Sequence, residues 1–199
     1  NGALLDEDFF KPQAFHELPV TRSGGIACLI SMNIFYVIYY LLYSKILFDY
    51  IFISASMFLI GFLDDLKINI KPSKRLFFMI FFLGLIINFL PIEILNIDIS
   101  FLNILMKFDI FSSLFVLLCF LFIINGANLI DGFNGLLTLN LLIINVILVY
   151  ININNGNNEF SIILISQIIV LLSFLLFNFP NAKIFFGDSG AYLMGSLLA

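Results

Sequence analysis

Apolar and polar residues fall into long blocks along this chain. Apolar runs occupy about 26–44, 47–63, 75–91, 110–127, 135–151 and 160–179, and another begins near 190. Each complete run holds about 17 to 20 residues, which as a helix rising about 1.5 Å per residue reaches across about 30 Å of hydrocarbon. The alternating segments of about ten residues that a membrane β-barrel requires are absent. The pattern predicts an all-α, polytopic transmembrane helix bundle with about six complete spans and the start of a seventh. Short connections predict a single integral-membrane domain over residues 1–199. Both ends read as cut from a longer protein, because the chain opens in a polar segment without Met and stops inside an apolar run. The stretch from Pro91 to Asp109 breaks the rhythm, and Phe101 to Met106 within it either extends the next helix or lies at the membrane interface. Asn152 to Glu159 is a turn between two spans.

Composition removes the soluble alternative. The chain is 62% hydrophobic with 26 Phe, and only 11% of it is charged, against about 25% in an ordinary soluble domain. That much apolar surface exceeds what one core of this size could bury, so the lipid bilayer is the expected partner of the remainder. No basic patch of the nucleic-acid type exists, which excludes nucleic acid. Cys28 and Cys119 both sit in apolar stretches without metal-ligand spacing, so neither a disulfide framework nor a zinc site is indicated.

Charge gives the bundle a direction. Counting crossings puts residues 1–25, 64–74, 125–135 and 180–189 on one side of the membrane. Seven of the nine basic residues go with that side: Lys11, Arg22, Lys67, Lys71, Lys74, Arg75 and Lys183. Lys45 and Lys107 fall on the other, so the positive-inside rule makes the first side cytoplasmic.

The strongest polar motifs gather on the same side. They are Gly61-Phe62-Leu63-Asp64-Asp65-Leu66-Lys67, Asn125 to Leu136 with Asn128, Asp131, Gly132 and Gly135, and Phe186-Gly187-Asp188-Ser189-Gly190. Ionisable groups beside hydrocarbon are costly and face a bundle interior or a watery cavity. Asp64 and Asp65 are about 100° apart on a helix, so they cannot face the same way. One is free for substrate or metal while the other holds a base or caps a helix. Taken singly, each motif also has an ordinary structural explanation: a helix-end signal at Asp64-Asp65, interhelical polar packing at Asn125, Asn128 and Asp131, an N-cap at Asp188. In the N-terminal segment, His16 reads equally as a surface histidine, and Arg22 beside Gly24-Gly25 serves either a phosphate or a loop end. Together, several carboxylates with a basic rim favour hard-oxygen coordination of magnesium, with manganese as its substitute, and phosphoryl transfer at the interface.

His16 to Gly25, Asp64-Asp65, the Asn125 to Leu136 block and Gly187 to Gly190, in that order, resemble the polyprenyl-phosphate N-acetylhexosamine 1-phosphate transferases of glycosyltransferase family 4. The resemblance covers essentially the whole chain and implies missing helices before Asn1 and after Ala199. It implies transfer of a sugar 1-phosphate from a UDP-sugar to undecaprenyl phosphate, giving undecaprenyl-pyrophosphoryl-sugar and UMP in a bacterial cytoplasmic membrane. It places the Mg2+ ligand at Asp188, makes Asp64 the base or lipid-phosphate activator and Asp65 a residue that organises the site. Lys74 is matched to phosphate contact, Asn125, Asn128 and Asp131 to the nucleotide and pyrophosphate, and His16 and Arg22 to the border of the cavity. A homodimer is common in this family. Asn134 stands where the peptidoglycan branch and many other bacterial members carry aspartate, which weakens an acidic role at that position. The wording of His16 to Gly25 and of Asn125 to Leu136 leans toward the O-antigen and teichoic-acid branch. The competing reading is a transporter or ion-coupled carrier, but its acids would lie near midplane and not at helix ends on one side. A phosphatase acting through a covalent histidine is disfavoured by the single histidine.

Overall fold

The computed structural model describes residues 4–6, 19–68, 70–89, 97 and 99–199. The described chain begins with β1 (Leu5–Asp6), paired antiparallel with β2 (Val20–Thr21), and is helical almost throughout from there. The helices are α1 (Gly24–Tyr43), α2 (Phe48–Asp65), α3 (Pro72–Phe89), α4 (Ser100–Leu105), α5 (Asp109–Ile130), α6 (Leu136–Asn154), α7 (Asn158–Asn178) and α8 (Gly187–Leu198). Each apolar run in the sequence thus forms one helix, and the run near 190 forms α8. His16 and Lys11 lie outside the described residues.

Five of these helices, α1, α3, α5, α6 and α7, are long and apolar enough to cross a membrane. The sixth expected span, α2, has 18 residues but carries Asp49, Asp64 and Asp65 at its ends. Three carboxylates give it more charge than any of the other five, and two of them, Asp64 and Asp65, lie at the site. Only 17% to 39% of each of the five spans is buried against protein, and Ile110 and Leu129 on α5 are 86% and 84% exposed. Such a surface is stable only under lipid, where a helix satisfies its own backbone hydrogen bonds. The segment around Phe101 does not extend the next span. It forms the separate short helix α4, and α5 starts afresh at Asp109.

The core is built around α8. Every residue from Ser189 to Leu197 is buried, and the helix packs against α1, α2 and α5. Close approach depends on Gly61 of α2, where a methyl group would run into the backbone of Asp188. The helices α2 and α8 therefore meet backbone to backbone at the level of the acidic motifs.

The alternating crossings expected from the sequence bring one end of every long helix to a common level. Gly24 and Gly25 donate to the carbonyls of Phe185 and Phe186 at 3.0 and 2.9 Å. Thr21 bridges to Ile184. The buried Asn178 accepts the Gly135 N–H at 2.6 Å through Oδ1 and donates Nδ2 to the Ile184 carbonyl at 2.9 Å. One amide thus pins the α5–α6 turn to the strand-like segment before α8. At the opposite end Lys45 and Glu159 pair, 2.6 Å apart.

Candidate functional site

The adjacent aspartates at the end of α2 point in different directions, as helical spacing demands. Asp65 turns inward, with its side chain 0% exposed. Its Oδ1 accepts the Asp188 N–H at 3.0 Å and its Oδ2 accepts the Ser189 N–H at 2.9 Å. These donors belong to the first turn of α8, which has no intrahelical acceptors for them. A carboxylate from α2 therefore caps α8 and meets the positive end of its dipole. Gly187 makes the cap possible: its φ is +74°, and a Cβ there would lie 2.7 Å from Asp65 Oδ2. Fixing the first turn of α8 also fixes the Asp188 side chain.

Asp64 turns outward and stays partly exposed. Arg75, from the first turns of α3, donates Nη1 to Asp64 Oδ2 at 2.7 Å and to Asp188 Oδ2 at 3.1 Å. Asp64 is 33% exposed and Asp188 26%, so both remain open to a ligand where Asp65 does not. The Arg75 guanidinium also lies over the Tyr192 ring, with Cζ 5.6 Å from its centroid. Tyr192 is fully buried, and its hydroxyl has no hydrogen-bond partner among the described residues.

Arg22 comes in beside Asp65 from the chain that follows β2. Its Nη2 donates to Asp6 Oδ2 at 2.7 Å, and its Nη1 lies 3.9 Å from Asp65 Oδ1. Burial alone would lower its affinity for a proton, but the Asp6 bond and the charges of Asp6, Asp65 and Asp188 raise it overall. Asp131 caps the C-terminal end of α5 and is half-buried by its own surface, though deep among protein atoms. Burial pushes its carboxyl up to about 7, the charges of Asp188 and Asp65 add to the rise, and Arg22 opposes it.

The structure thus joins Asp64, Asp65, Asp188 and Arg22, with Asp131 in their field. Asn125 and Asn128 are half-buried on α5. Asn125 donates to the Leu121 carbonyl at 2.8 Å and approaches Met79 Sδ at 3.9 Å. Lys74 is exposed on the first turn of α3. Sequence reasoning named Arg75 only as one of the basic residues behind Asp64-Asp65, an anion-handling loop or a topology signal, and it missed Tyr192. Only the fold gives the phase: the buried positions of α3 are Met79, Leu83 and Ile86, and stepping back one turn along that stripe reaches Arg75 and not Lys74.

Asp64 Oδ2 and Asp188 Oδ2 converge on one point, now held by Arg75 Nη1. A small divalent cation there would meet two hard oxygens, a donor set that suits magnesium or manganese and not zinc. No group of three or more His, Cys, Asp or Glu among the described residues is arranged to hold a metal. Two carboxylates still fit magnesium, which keeps several waters and draws its other ligands from substrate phosphates.

Residues 47–199 match the family model described as glycosyl transferase family 4. The chain is 29% identical over 207 aligned positions to the phospho-N-acetylmuramoyl-pentapeptide-transferase of Streptococcus sanguinis, covering 100% of this chain and 63% of that protein. It is 30% identical over 209 positions to the protein of the same name from Streptococcus pneumoniae strain Hungary19A-6, again covering 100% of this chain and 63% of the relative. A third, from Leuconostoc mesenteroides, is 44% identical over 75 residues, which are 38% of this chain and 23% of that protein. The chain thus spans less than two thirds of the length of these relatives.

Their name is that of the peptidoglycan branch and overturns the leaning toward the O-antigen and teichoic-acid branch. That leaning gave weight to the wording of two short blocks, His16 to Gly25 and Asn125 to Leu136. In the fold Asn134 Nδ2 donates to the Pro180 carbonyl at 3.0 Å, tying one loop to another. With its helices matched from α2 through α8, and with Asp64-Asp65, the Asn125 to Leu136 block and Gly187 to Gly190 at one end of the bundle, the chain belongs to glycosyl transferase family 4.

Proposed function

We propose that this chain forms the catalytic core of a membrane enzyme that transfers a sugar 1-phosphate from a UDP-sugar to a polyprenyl phosphate such as undecaprenyl phosphate. The observation that carries the reading is the convergence of Asp64 and Asp188 on one cation position, with Asp65 holding α8 so that Asp188 stays there. Family membership and the names of the relatives support it. An oxygen of the lipid phosphate attacks the sugar-linked phosphorus of the donor. The bond from that phosphorus to the bridging oxygen breaks, and UMP departs with the oxygen. Bound Mg2+ would supply charge neutralisation on the pyrophosphate, with Asp188 and Asp64 as its protein ligands.

The chain's own residues divide the remaining work. Asp64, partly exposed, orients the lipid phosphate or takes its proton. Asp65 positions Asp188. Arg22 and Lys74 meet phosphate charge at the rim, and Asn125, Asn128 and Asp131 line the nucleotide side. His16 is assigned to the rim through family resemblance alone. The basic residues clustered at this end of the bundle favour a cytoplasmic site.

The test is UMP release by the purified protein in detergent, given undecaprenyl phosphate, Mg2+ and, separately, UDP-N-acetylglucosamine, UDP-N-acetylgalactosamine or UDP-N-acetylmuramoyl-pentapeptide. Release that requires lipid phosphate and Mg2+ and disappears in Asp188→Asn is the expected result. Absence of release with every donor, from folded protein, would move the transporter reading to the front.

A further inference from the structure

We propose that Arg75 is a resident counter-cation, occupying the position between Asp64 and Asp188 that a divalent metal takes and yielding it when the metal enters. This rests on the reading above that the two carboxylates hold the metal. A single nitrogen, Nη1, touches both Oδ2 atoms, at 2.7 and 3.1 Å. A magnesium ion bonded to the same oxygens at about 2.1 Å would fill the same space, so guanidinium and metal exclude each other there.

The arrangement also explains how the metal-free protein tolerates its site. Asp64, Asp65, Asp131 and Asp188 lie in one field with Arg22 and Arg75 as the guanidinium groups among them. Without Arg75 the two half-exposed carboxylates of Asp64 and Asp188 would face each other uncompensated. Neighbouring like charges of that kind either repel or draw in a cation.

Tyr192 gives Arg75 a contact that does not depend on the carboxylates. It lies one helical turn beyond Asp188 on α8, and its buried ring takes the guanidinium within the range of about 6 Å at which cation and ring attract. Arg75 can therefore leave the carboxylates without leaving the site, and is then free to meet an incoming phosphate, for which a guanidinium fork is well suited. Metal entry and phosphate binding are coupled through this one side chain.

The experiment is Mn2+ binding to the purified, nucleotide-free protein, read from the electron paramagnetic resonance of free Mn2+. Arg75→Gln, which removes the competing charge, is expected to bind Mn2+ at least about tenfold more tightly than the parent. Arg75→Lys keeps a charge that reaches one carboxylate at a time, and is expected to fall between the two. It also serves as the deciding variant should Arg75→Gln not fold. Asp188→Asn is expected to lose Mn2+ binding. Unchanged or weaker binding in the Arg75 variants would overturn the proposal, because it would make Arg75 a support of the chelate and not its competitor. The transferase reading fails separately: no UMP release by the parent protein would sink that reading while leaving the order of Mn2+ affinities to support the counter-cation.

Discussion

Replacing Asp65 by Asn tests whether a carboxylate on α2 holds α8 in place. The native side chain accepts two backbone N–H groups, at 3.0 and 2.9 Å. An amide of the same shape can accept only one of them, and presents its own N–H2 to the other. Hydrogen bonds to a charged acceptor contribute about 1.5–3 kcal/mol each, neutral ones about 0.5–1.5, and a buried donor left unpaired costs about 1–3 kcal/mol. Loss of negative charge at the helix N-terminus removes about 0.3–1 kcal/mol more. Relief from burying a charge offsets part of this, which leaves a net destabilisation of about 3 kcal/mol. For a chain of this size that lowers Tm by about 6–12 °C. A thiol-reactive fluorophore provides the assay, because Cys28 is 2% exposed in the folded bundle and becomes reactive on unfolding. Transfer should fall with it, since Asp188 loses its fixed position. A Tm within about 2 °C of the parent would refute the capping argument.

Three further outcomes follow from the same geometry. Gly61→Ala places a methyl group against the Asp188 backbone. With backbone on both sides there is little room to relax, so it should cost about 1–3 kcal/mol and lower Tm and transfer together. Asp131 titrates at about 7 in the fold, above its unfolded value, so its contribution to stability is fully present below the ordinary carboxylate range and is lost as pH rises through about 7. In metal-free protein, Asp131→Asn should therefore raise Tm more at pH 8 than at pH 5, and a gain that does not grow with pH would contradict the shift. Tyr192→Phe keeps the ring face beneath Arg75 and should retain kcat, whereas Tyr192→Leu should lower kcat about tenfold with a smaller effect on KM. Equal kcat in the two variants would leave the ring without a role in placing Arg75.

The bundle was legible because the apolar runs are long, separated by polar turns and too numerous for a soluble core. The split between Asp64 and Asp65 was legible too, since adjacent helical residues cannot share a face. Arg75 was hidden for a physical reason: α3 is apolar on nearly every side, so the sequence does not mark which stripe faces α2 and α8. Only the burial of Met79, Leu83 and Ile86 reveals the phase that brings Arg75 inward and leaves Lys74 outside. Tyr192 was hidden because it lies within an apolar run and its importance depends on what α3 carries across to it. The branch assignment failed because the wording of two short blocks, His16 to Gly25 and Asn125 to Leu136, was weighed above similarity over the whole chain.

The most direct measurement follows the phosphorus itself. The UDP-sugar that supports turnover is labelled with radioactive phosphorus at its β-phosphate, and the lipid and nucleotide products are separated after reaction with undecaprenyl phosphate and Mg2+. Label recovered in the lipid as a pyrophosphoryl sugar, with unlabelled UMP in the water phase and no transfer by Asp188→Asn, is the predicted result. Label remaining on the nucleotide, or sugar reaching the lipid without it, would contradict sugar 1-phosphate transfer at the Asp64–Asp188 site.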